Sequence, residues 1–252
     1  MKIAITGKGG VGKTTLAGTL ARLLAQDGMD VLAIDADPDM NLASALGIDE
    51  PPAPLTEYED FIDERSGGPA GIFKLNPKVD DVVGRFGVVG PDGVRMLAMG
   101  TVDRGGSGCM CPASSFLRAL LRHVVLKDSS VVIMDMEAGI EHLGRGTTRG
   151  IDLMIVVVEP GARSLETAER IKRLGTDIGV ERFAAVINKA GEENLRAVES
   201  RLENMGIPVL GTIPYDSSFV KADLAGCSPV EEEGAAMVAI GEIKDKLASF
   251  LR

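Results

Sequence analysis

Nine consecutive residues near the start of the chain have the types and spacing of a phosphate-binding loop: Gly7-Lys8-Gly9-Gly10-Val11-Gly12-Lys13-Thr14-Thr15. They match the pattern G-x-x-x-x-G-K-[ST], in which glycines let backbone N–H groups turn inward around phosphate oxygens. Lys13 is expected to reach the β- and γ-phosphates of a nucleotide, and the Thr14 hydroxyl to ligate Mg²⁺. A glycine-rich turn with a chance lysine is the alternative. The loop therefore predicts a nucleotide site made of Gly9, Gly10, Val11, Gly12, Lys13, Thr14 and Thr15.

Acidic residues follow two apolar runs that have the length of buried parallel strands. Asp35 and Asp37 come after the first run, and Asp135 comes after the second. Because ligands bind outside the carboxyl ends of strands in open α/β sheets, these carboxylates are expected beside the phosphates, where they hold Mg²⁺ or orient the attacking water. Gly139 would allow the backbone to approach the γ-phosphate. A solvated acidic turn is the alternative for the first group.

Lys8 stands second in the loop, where it lies close to the phosphates but cannot easily fold back onto its own nucleotide. This variant loop resembles that of the ATPase family that contains the septum-site, plasmid-partition and nitrogenase iron proteins. The resemblance implies that Lys8 reaches the nucleotide of a second subunit, so that a homodimer hydrolyses ATP. It also implies that Lys8, Lys13 and Asp37 are catalytic, with Asp37 positioning or activating water and Asp35 supporting the metal.

Two later segments are similar to the base-binding side of the same family. Asn188 and Lys189 follow one strand-like run, and Pro214 and Tyr215 follow the next. The resemblance implies that Asn188 hydrogen-bonds adenine, since its amide offers a donor and an acceptor side by side. Tyr215 either flanks the base or is a packed aromatic residue, and the sequence leaves both open.

Cys109 and Cys111 are separated by one residue. This spacing is poor for a disulfide between them, but it lets both thiolates bind one metal ion. Two ligands leave a tetrahedral ion half-coordinated, whereas a twofold dimer would supply four sulfurs at its axis. The alternative is a pair of ordinary thiols in a loop. We assign no role to Cys227 or to the two histidines, His123 and His142.

The phosphate loop with Lys8, the segment Leu75-Asn76-Pro77-Lys78-Val79-Asp80 and the cysteine pair together resemble the CooC-type ATPases. The similarity extends over essentially the whole chain. CooC-type ATPases assist nickel insertion into carbon monoxide dehydrogenase and related acetyl-CoA synthase systems. The resemblance implies a homodimer that binds ATP and Mg²⁺, holds Ni²⁺ or Zn²⁺ between its thiolates, and has a nickel enzyme of this type as its partner.

Alternating strand-like and helix-like runs supply the elements that must position these residues. Buried parallel strands are predicted at the short apolar runs 2–6, 31–34, 131–134, 153–158, 183–187 and 209–213. The sequence therefore predicts an α/β fold, with a doubly wound, mostly parallel sheet flanked by helices. We expect a single domain over residues 1–252, with an irregular elaboration at about 51–107, where prolines and glycines interrupt the pattern.

Composition restricts the location and the partners. The formal net charge of −10 disfavours non-specific binding to nucleic acid, whose phosphates would repel such a surface. No apolar run approaches the roughly 18–20 residues of a membrane span, and the first residues enter a strand without a signal peptide. We therefore expect a cytoplasmic protein with neither nucleic acid nor membrane as a partner.

Two other functions are compatible with the phosphate loop. A spatial-organising or regulatory switch of the septum-site or partition type would use the same ATPase cycle with structural cysteines, but the negative charge and the lack of a basic amphipathic tail disfavour it. An iron–sulfur electron donor like the nitrogenase iron protein would need cysteines far apart in sequence, one of them near the second acidic segment. That segment contains none.

Overall fold

The computed structural model describes residues 1–67, 74, 76–100, 112–126, 131–138 and 150–250, and within them eight strands form one sheet. The strands are β1 (Lys2–Gly7), β2 (Val31–Ala36), β3 (Val88–Val89), β4 (Arg95–Ala98), β5 (Val131–Met136), β6 (Leu153–Val158), β7 (Phe183–Ala190) and β8 (Val209–Pro214). Their order across the sheet is β3-β4-β2-β5-β1-β6-β7-β8, and every pairing is parallel except that of β3 with β4. The predicted doubly wound, mostly parallel sheet is confirmed.

Helices cover both faces of the sheet. They are α1 (Lys13–Gln26), α2 (Leu42–Leu46), α3 (Glu59–Ser66), α4 (Val82–Phe86), α5 (Pro112–Leu126), α6 (Ala162–Ile178), α7 (Leu195–Asn204), α8 (Ser217–Leu224) and α9 (Ala235–Phe250). One core contains Ile3 and Ile5 of β1 with α1, α2 and α9, and the other contains Ala4 with α3, α5, α6 and α7. Because side chains alternate along a strand, β1 contributes to both cores. Among the described helices, none is long and apolar enough to cross a bilayer.

Two of the strands that extend further than their apolar runs predict do so through an acidic residue. β2 includes Asp35 and β5 includes Asp135, and the register places these two residues opposite each other. Both are 0% exposed. The prediction that these acids follow the strands was therefore wrong by one or two residues, because a charged side chain interrupts an apolar pattern without interrupting the backbone hydrogen bonds of the sheet. The consequence is that both carboxylates are buried inside the sheet.

The described part of the elaboration is attached to the sheet. β4 pairs with β2, and α3 packs on α5, where the rings of Phe61 and Phe116 meet edge-on with their centroids 5.7 Å apart. Helix α5 begins at Pro112, and proline is well suited to the first turn of a helix. This helix directly follows Cys109 and Cys111, which lie outside the described residues. The aromatic contact therefore holds α5, the helix that follows the cysteine pair in the sequence, against α3.

Replacing Phe116 should show how far the fold depends on this contact. We expect Phe116→Ala to lower the free energy of unfolding by about 3–5 kcal/mol, because the fully buried ring leaves a cavity between α3 and α5. Denaturant titration measures the change. Val238→Ala, at a position on α9 that is 65% exposed, should change it by less than about 0.5 kcal/mol. A loss below about 1 kcal/mol for Phe116→Ala would contradict close packing at this position.

Candidate functional site

The phosphate loop joins β1 to α1 at the carboxyl edge of the sheet, between β5 and β6. β1 ends at Gly7, and α1 begins at Lys13 with Gly12 as its N-terminal cap. Gly12 has a φ of 92°, in the left-handed region, and a β-carbon there would collide with the amide nitrogen of Asn188. Both conditions require glycine at this position. The strand–loop–helix context that makes such a loop an anion site is therefore present.

An open cleft of about 500 Å³ extends from the phosphate loop to β8. The residues predicted from the sequence that line it are Gly9, Gly10, Gly12, Lys13, Thr14, Thr15, Asp37, Asn188, Lys189, Pro214 and Tyr215. They come from the carboxyl ends of four strands, where open α/β sheets bind their ligands. Lys8, Val11, Asp35 and Asp135 do not line the cleft.

The wall that α8 forms along this cleft was not predicted from the sequence. Helix α8 contributes Phe219 and Val220, and the turn after it contributes Cys227. The signal that indicates α8 is Asp216, whose carboxylate accepts a hydrogen bond of 3.0 Å from the backbone N–H of Ser218 and so caps the helix. An aspartate at the end of a strand-like run, followed by two serines, is typical of such a helix start.

Lys13 and Asp37 form an ion pair within the cleft. Nζ of Lys13 lies 3.3 Å from Oδ2 of Asp37, and the two side chains are only 8% and 11% exposed. The other carboxylate oxygen of Asp37 accepts a hydrogen bond from the backbone N–H of Asp39. The lysine predicted to bind phosphate is thus paired with the acid predicted to position water. A pair with so little hydration persists until a stronger anionic partner for the lysine arrives.

Asp35 stabilises the loop that carries Asp37. Its Oδ1 accepts a hydrogen bond from the backbone N–H of Asp37 at 3.2 Å, and its Oδ2 accepts one from that of Leu42 at 3.0 Å. Burial raises the pKa of Asp35 to about 6, although these two hydrogen bonds act in the opposite direction. Because both oxygens bind backbone groups, Asp35 acts first on the conformation of this loop. Its support of a metal ion stays a prediction.

Asp135 is a buried acid whose carboxylate oxygens form no regular hydrogen bond with the part of the chain that the structure describes. Among the described residues, none donates a hydrogen bond of normal geometry to either of its carboxylate oxygens. Burial raises the pKa of Asp135 to about 7, and the nearby Thr14 hydroxyl is the largest opposing influence. An unsatisfied buried carboxylate is costly, and a carboxylate next to a hydroxyl fits the oxygen ligands that Mg²⁺ prefers. Asp135 and Thr14 are therefore the residues best suited to hold this ion.

The two residues at the end of β7 contact the phosphate loop. Nδ2 of Asn188 donates a hydrogen bond to the carbonyl oxygen of Val11 at 2.7 Å, and Nζ of Lys189 donates one to the carbonyl oxygen of Gly10 at 2.8 Å. Oδ1 of Asn188 accepts from the backbone N–H of Lys189. The amide keeps a second N–H and a second lone pair for a base. Adenine recognition by Asn188 therefore stays a prediction. The sequence did not indicate the hydrogen bond of Asn188 with the phosphate loop.

Some of the remaining predicted residues lie within the described part of the chain, and others lie outside it. Cys109, Cys111 and Gly139 lie outside the described residues. Lys8 is half-buried, and its ammonium forms no hydrogen bond or ion pair with any residue that the structure describes. Tyr215 is 64% exposed at the cleft, which favours a position beside a ligand over a packed one. Within the described ranges, no three or more histidine, cysteine, aspartate or glutamate residues are grouped as a metal site.

Comparison with known proteins gives matches along almost the whole chain. The model of the CobQ/CobB/MinD/ParA nucleotide binding domain matches residues 2–230. An uncharacterized ATP-binding protein of Methanocaldococcus jannaschii, MJ0823, is 46% identical over 249 residues, which cover 96% of each chain. The carbon monoxide dehydrogenase accessory protein CooC of Rhodospirillum rubrum is also 46% identical, over 239 residues that cover 90% of this chain and 89% of that protein.

Solved structures match at lower sequence identity. The MinC:MinD cell division protein complex of Aquifex aeolicus gives a TM-score of 0.74 at 21% identity, covering 99% of this chain and 96% of that chain. The Pyrococcus furiosus cell division ATPase MinD gives 0.70 at 23% identity, covering 98% of both chains. The structures confirm the predicted fold, and the similarity to CooC confirms the resemblance predicted from the loop lysine and the cysteine pair.

Removing the buried charge of Asp135 should stabilise the protein when nucleotide and Mg²⁺ are absent. The native state holds the Asp135 proton up to a pKa of about 7, whereas the ordinary pKa of an aspartate carboxyl is 3.8. The unfolded chain thus binds fewer protons than the native protein between these values, and stability falls as the pH rises from about 4 to about 7. We expect Asp135→Asn to raise the free energy of unfolding at pH 8 by roughly 2–4 kcal/mol, and by much less near pH 4.

Denaturant titration at several pH values, in the presence of a chelator, measures this difference. Asp177→Asn, at an exposed position on α6, is the matched control and should leave the pH dependence unchanged. If Asp135→Asn and the wild type have the same free energy of unfolding at pH 8, burial of the Asp135 carboxylate does not destabilise the folded protein.

Proposed function

The chain belongs to the CobQ/CobB/MinD/ParA family of nucleotide-binding ATPases, and we propose that it is a homodimeric ATPase that delivers nickel into carbon monoxide dehydrogenase or a related enzyme. The observation that carries the proposal is the 46% identity with a carbon monoxide dehydrogenase accessory protein over 90% of this chain. We further propose that residues 1–252 work as one ATPase domain, with residues 51–107 as its elaboration.

ATP binding begins with an exchange of partners at Lys13. The triphosphate enters the cleft between the phosphate loop and β8, and its β- and γ-phosphates attract Lys13 away from Asp37, whose Oδ2 lies 3.3 Å from the lysine Nζ. Asp37 is then free to accept a hydrogen bond from the attacking water. Thr14 and Asp135 would hold Mg²⁺, and the bound ion would supply positive charge beside the phosphates. Asp35 keeps the loop of Asp37 in place through its two backbone hydrogen bonds.

The second subunit contributes Lys8 to this site. Its ammonium has no partner among the described residues, so it is available to a nucleotide across a dimer interface. A positive charge that arrives with the second subunit stabilises the negative charge that develops on the transferred phosphoryl group. Hydrolysis therefore depends on dimer closure.

Metal binding completes the cycle. β4 ends at Ala98, at the same edge of the sheet as the phosphate loop, because β4 is parallel to β1. Since β4 and β5 are parallel, the helix between them, α5, must run back in the opposite direction, so its start at Pro112 belongs to that edge as well. This topology supports the proposal that closure of the dimer around ATP brings Cys109 and Cys111 of both subunits together. Four thiolates bind Ni²⁺ or Zn²⁺ as cargo. Hydrolysis opens the dimer and releases the ion to the client enzyme.

The role of Lys8 across the dimer is tested by mixing two inactive variants. Lys8→Ala should lose at least about a hundredfold in kcat, because no cation reaches the partner's phosphoryl group. Asp37→Asn should lose activity in its own site but still donate Lys8. In an equal mixture, half of the dimers are mixed and each has one complete site, so we expect about a quarter of the wild-type rate. Absence of any gain over the separate variants would show that Lys8 acts within its own subunit.

Metal titration of the dimer tests the shared thiolate site. With a non-hydrolysable ATP analogue, we expect the wild type to bind about one Ni²⁺ or Zn²⁺ per dimer, and Cys109→Ser/Cys111→Ser to bind none at this site. Cys227→Ser is the matched control, because Cys227 is an exposed free thiol elsewhere on the chain, and it should bind as the wild type does. Unchanged stoichiometry in the double variant would refute the shared site.

A further inference from the structure

We propose that Lys189 is a positioning residue for ATP binding: together with Asn188, it holds two consecutive carbonyl groups of the phosphate loop and thereby fixes the direction of the N–H groups that follow them. The inference rests on the proposed function, since it concerns the same nucleotide site. It gives Lys189 a role of its own, separate from adenine recognition and from metal delivery.

The two contacts involve neighbouring peptide groups. Lys189 donates to the carbonyl oxygen of Gly10 at 2.8 Å, and Asn188 donates to that of Val11 at 2.7 Å. In a trans peptide, the carbonyl and the N–H of the next residue point in opposite directions. Holding these two carbonyls therefore sets the orientation of the N–H groups of Val11 and Gly12. Those are groups that a phosphate-binding loop turns toward its anion.

The N–H of Val11 is available for exchange. It donates to the carbonyl oxygen of Lys8 at 3.4 Å, which is at the long limit for a hydrogen bond. A phosphate oxygen is a stronger acceptor because it is charged, so the N–H changes partner readily when ATP enters. During this exchange, the contact between Lys189 and Gly10 holds the other side of the same peptide group.

The backbone and the charge environment of Lys189 both support this role. Its φ is 53°, a left-handed conformation that a residue with a side chain adopts only where its surroundings enforce it. Its Nζ also lies 3.7 Å from Oε2 of Glu159, the residue that follows β6. The ammonium is thus held between a loop carbonyl and a carboxylate from the neighbouring strand. We call this arrangement of Lys189, Asn188 and Glu159 the loop clamp.

Lys189→Met tests the loop clamp, because it removes the ammonium and keeps most of the side-chain length. We expect the Kd for ATP and for ADP to rise about five- to twentyfold, since one charged hydrogen bond that orients the loop is lost. The KM for ATP should rise with it while kcat changes less than about threefold, because the loop binds the ground state and the transition state alike. Lys189→Arg, which keeps a cationic donor, should recover most of the affinity.

Adenosine distinguishes the clamp from base recognition. It has no phosphates, so its affinity, measured by competition with a fluorescent ADP analogue, should be the same for Lys189→Met and the wild type. A parallel loss of affinity for adenosine and for ADP would place Lys189 at the base and overturn the inference. So would a Kd for ATP within about twofold of the wild-type value.

Lys78→Met is the matched control for general electrostatic attraction. Lys78 is also exposed, pairs with the surface carboxylate of Asp80 at 3.8 Å, and does not line the cleft. The variant Lys78→Met should leave the Kd for ATP and for ADP unchanged. The effect of Lys189→Met should persist between about 0.1 and 0.5 M salt, because a short-range contact is screened little, whereas attraction at a distance is screened strongly. An effect that disappears at high salt, or that Lys78→Met reproduces, would overturn the inference.

Glu159→Gln is a second variant in case Lys189→Met does not fold. It keeps the lysine and removes the carboxylate that orients it, and we expect a rise in the Kd for ADP of about twofold or more. An unchanged Kd would overturn the inference even if Lys189→Met is unfolded. The wild-type protein provides the separate test of the proposed function. If it binds neither ATP nor ADP, the proposed function fails, whereas normal binding by both the wild type and the folded variants refutes the loop clamp alone.

Discussion

Burial of charge at the carboxyl edge of the sheet is the constraint on which the rest of this site depends. Asp35 and Asp135 lie opposite each other on neighbouring strands with no exposure to solvent. Burial raises the pKa of both, and the nearby charge of Asp37 adds to this effect. Three acids so close together destabilise the folded protein unless hydrogen bonds or cations compensate them. Contacts within the protein compensate two of them: backbone groups bind Asp35, and Lys13 binds Asp37.

In the proposed function, this unequal compensation is the source of the response to ATP and Mg²⁺. Asp135 has no hydrogen-bond donor of normal geometry among the described residues, so a divalent cation beside Thr14 relieves the largest remaining cost. Lys13, by contrast, already has a partner, and a triphosphate must compete with Asp37 for it. The same event that binds the phosphates therefore releases the acid that is proposed to position water. Buried charges of this kind lower the stability of the folded protein when no ligand is bound, and ligand binding then raises that stability strongly. Such an arrangement is common at functional sites.

Local sequence patterns predict the elements of this site, and they fail where contacts join distant parts of the chain. The glycine spacing around Lys13 indicated the loop, and short apolar runs located the strands, because both signals lie within a few residues. The pattern ended β2 and β5 too early, since Asp35 and Asp135 look like loop residues although the backbone ladder includes them. The bond between Asn188 and Val11 spans 177 positions, and no local pattern carries that information.

The connection between β4 and β5 explains how the nucleotide site and the cysteine segment can act together in the proposed function. This connection contains the cysteine pair and then α5, which Phe116 fixes against Phe61 of α3. β5 follows it in the chain and carries Asp135 into the centre of the site. One crossover thus has the proposed cargo ligands at its start and the proposed Mg²⁺ ligand at its end. Because closely packed helices and strands move as rigid bodies and deform little, the proposed function lets a change of charge at Asp135 act on α5, the helix that begins one residue after Cys111 in the sequence.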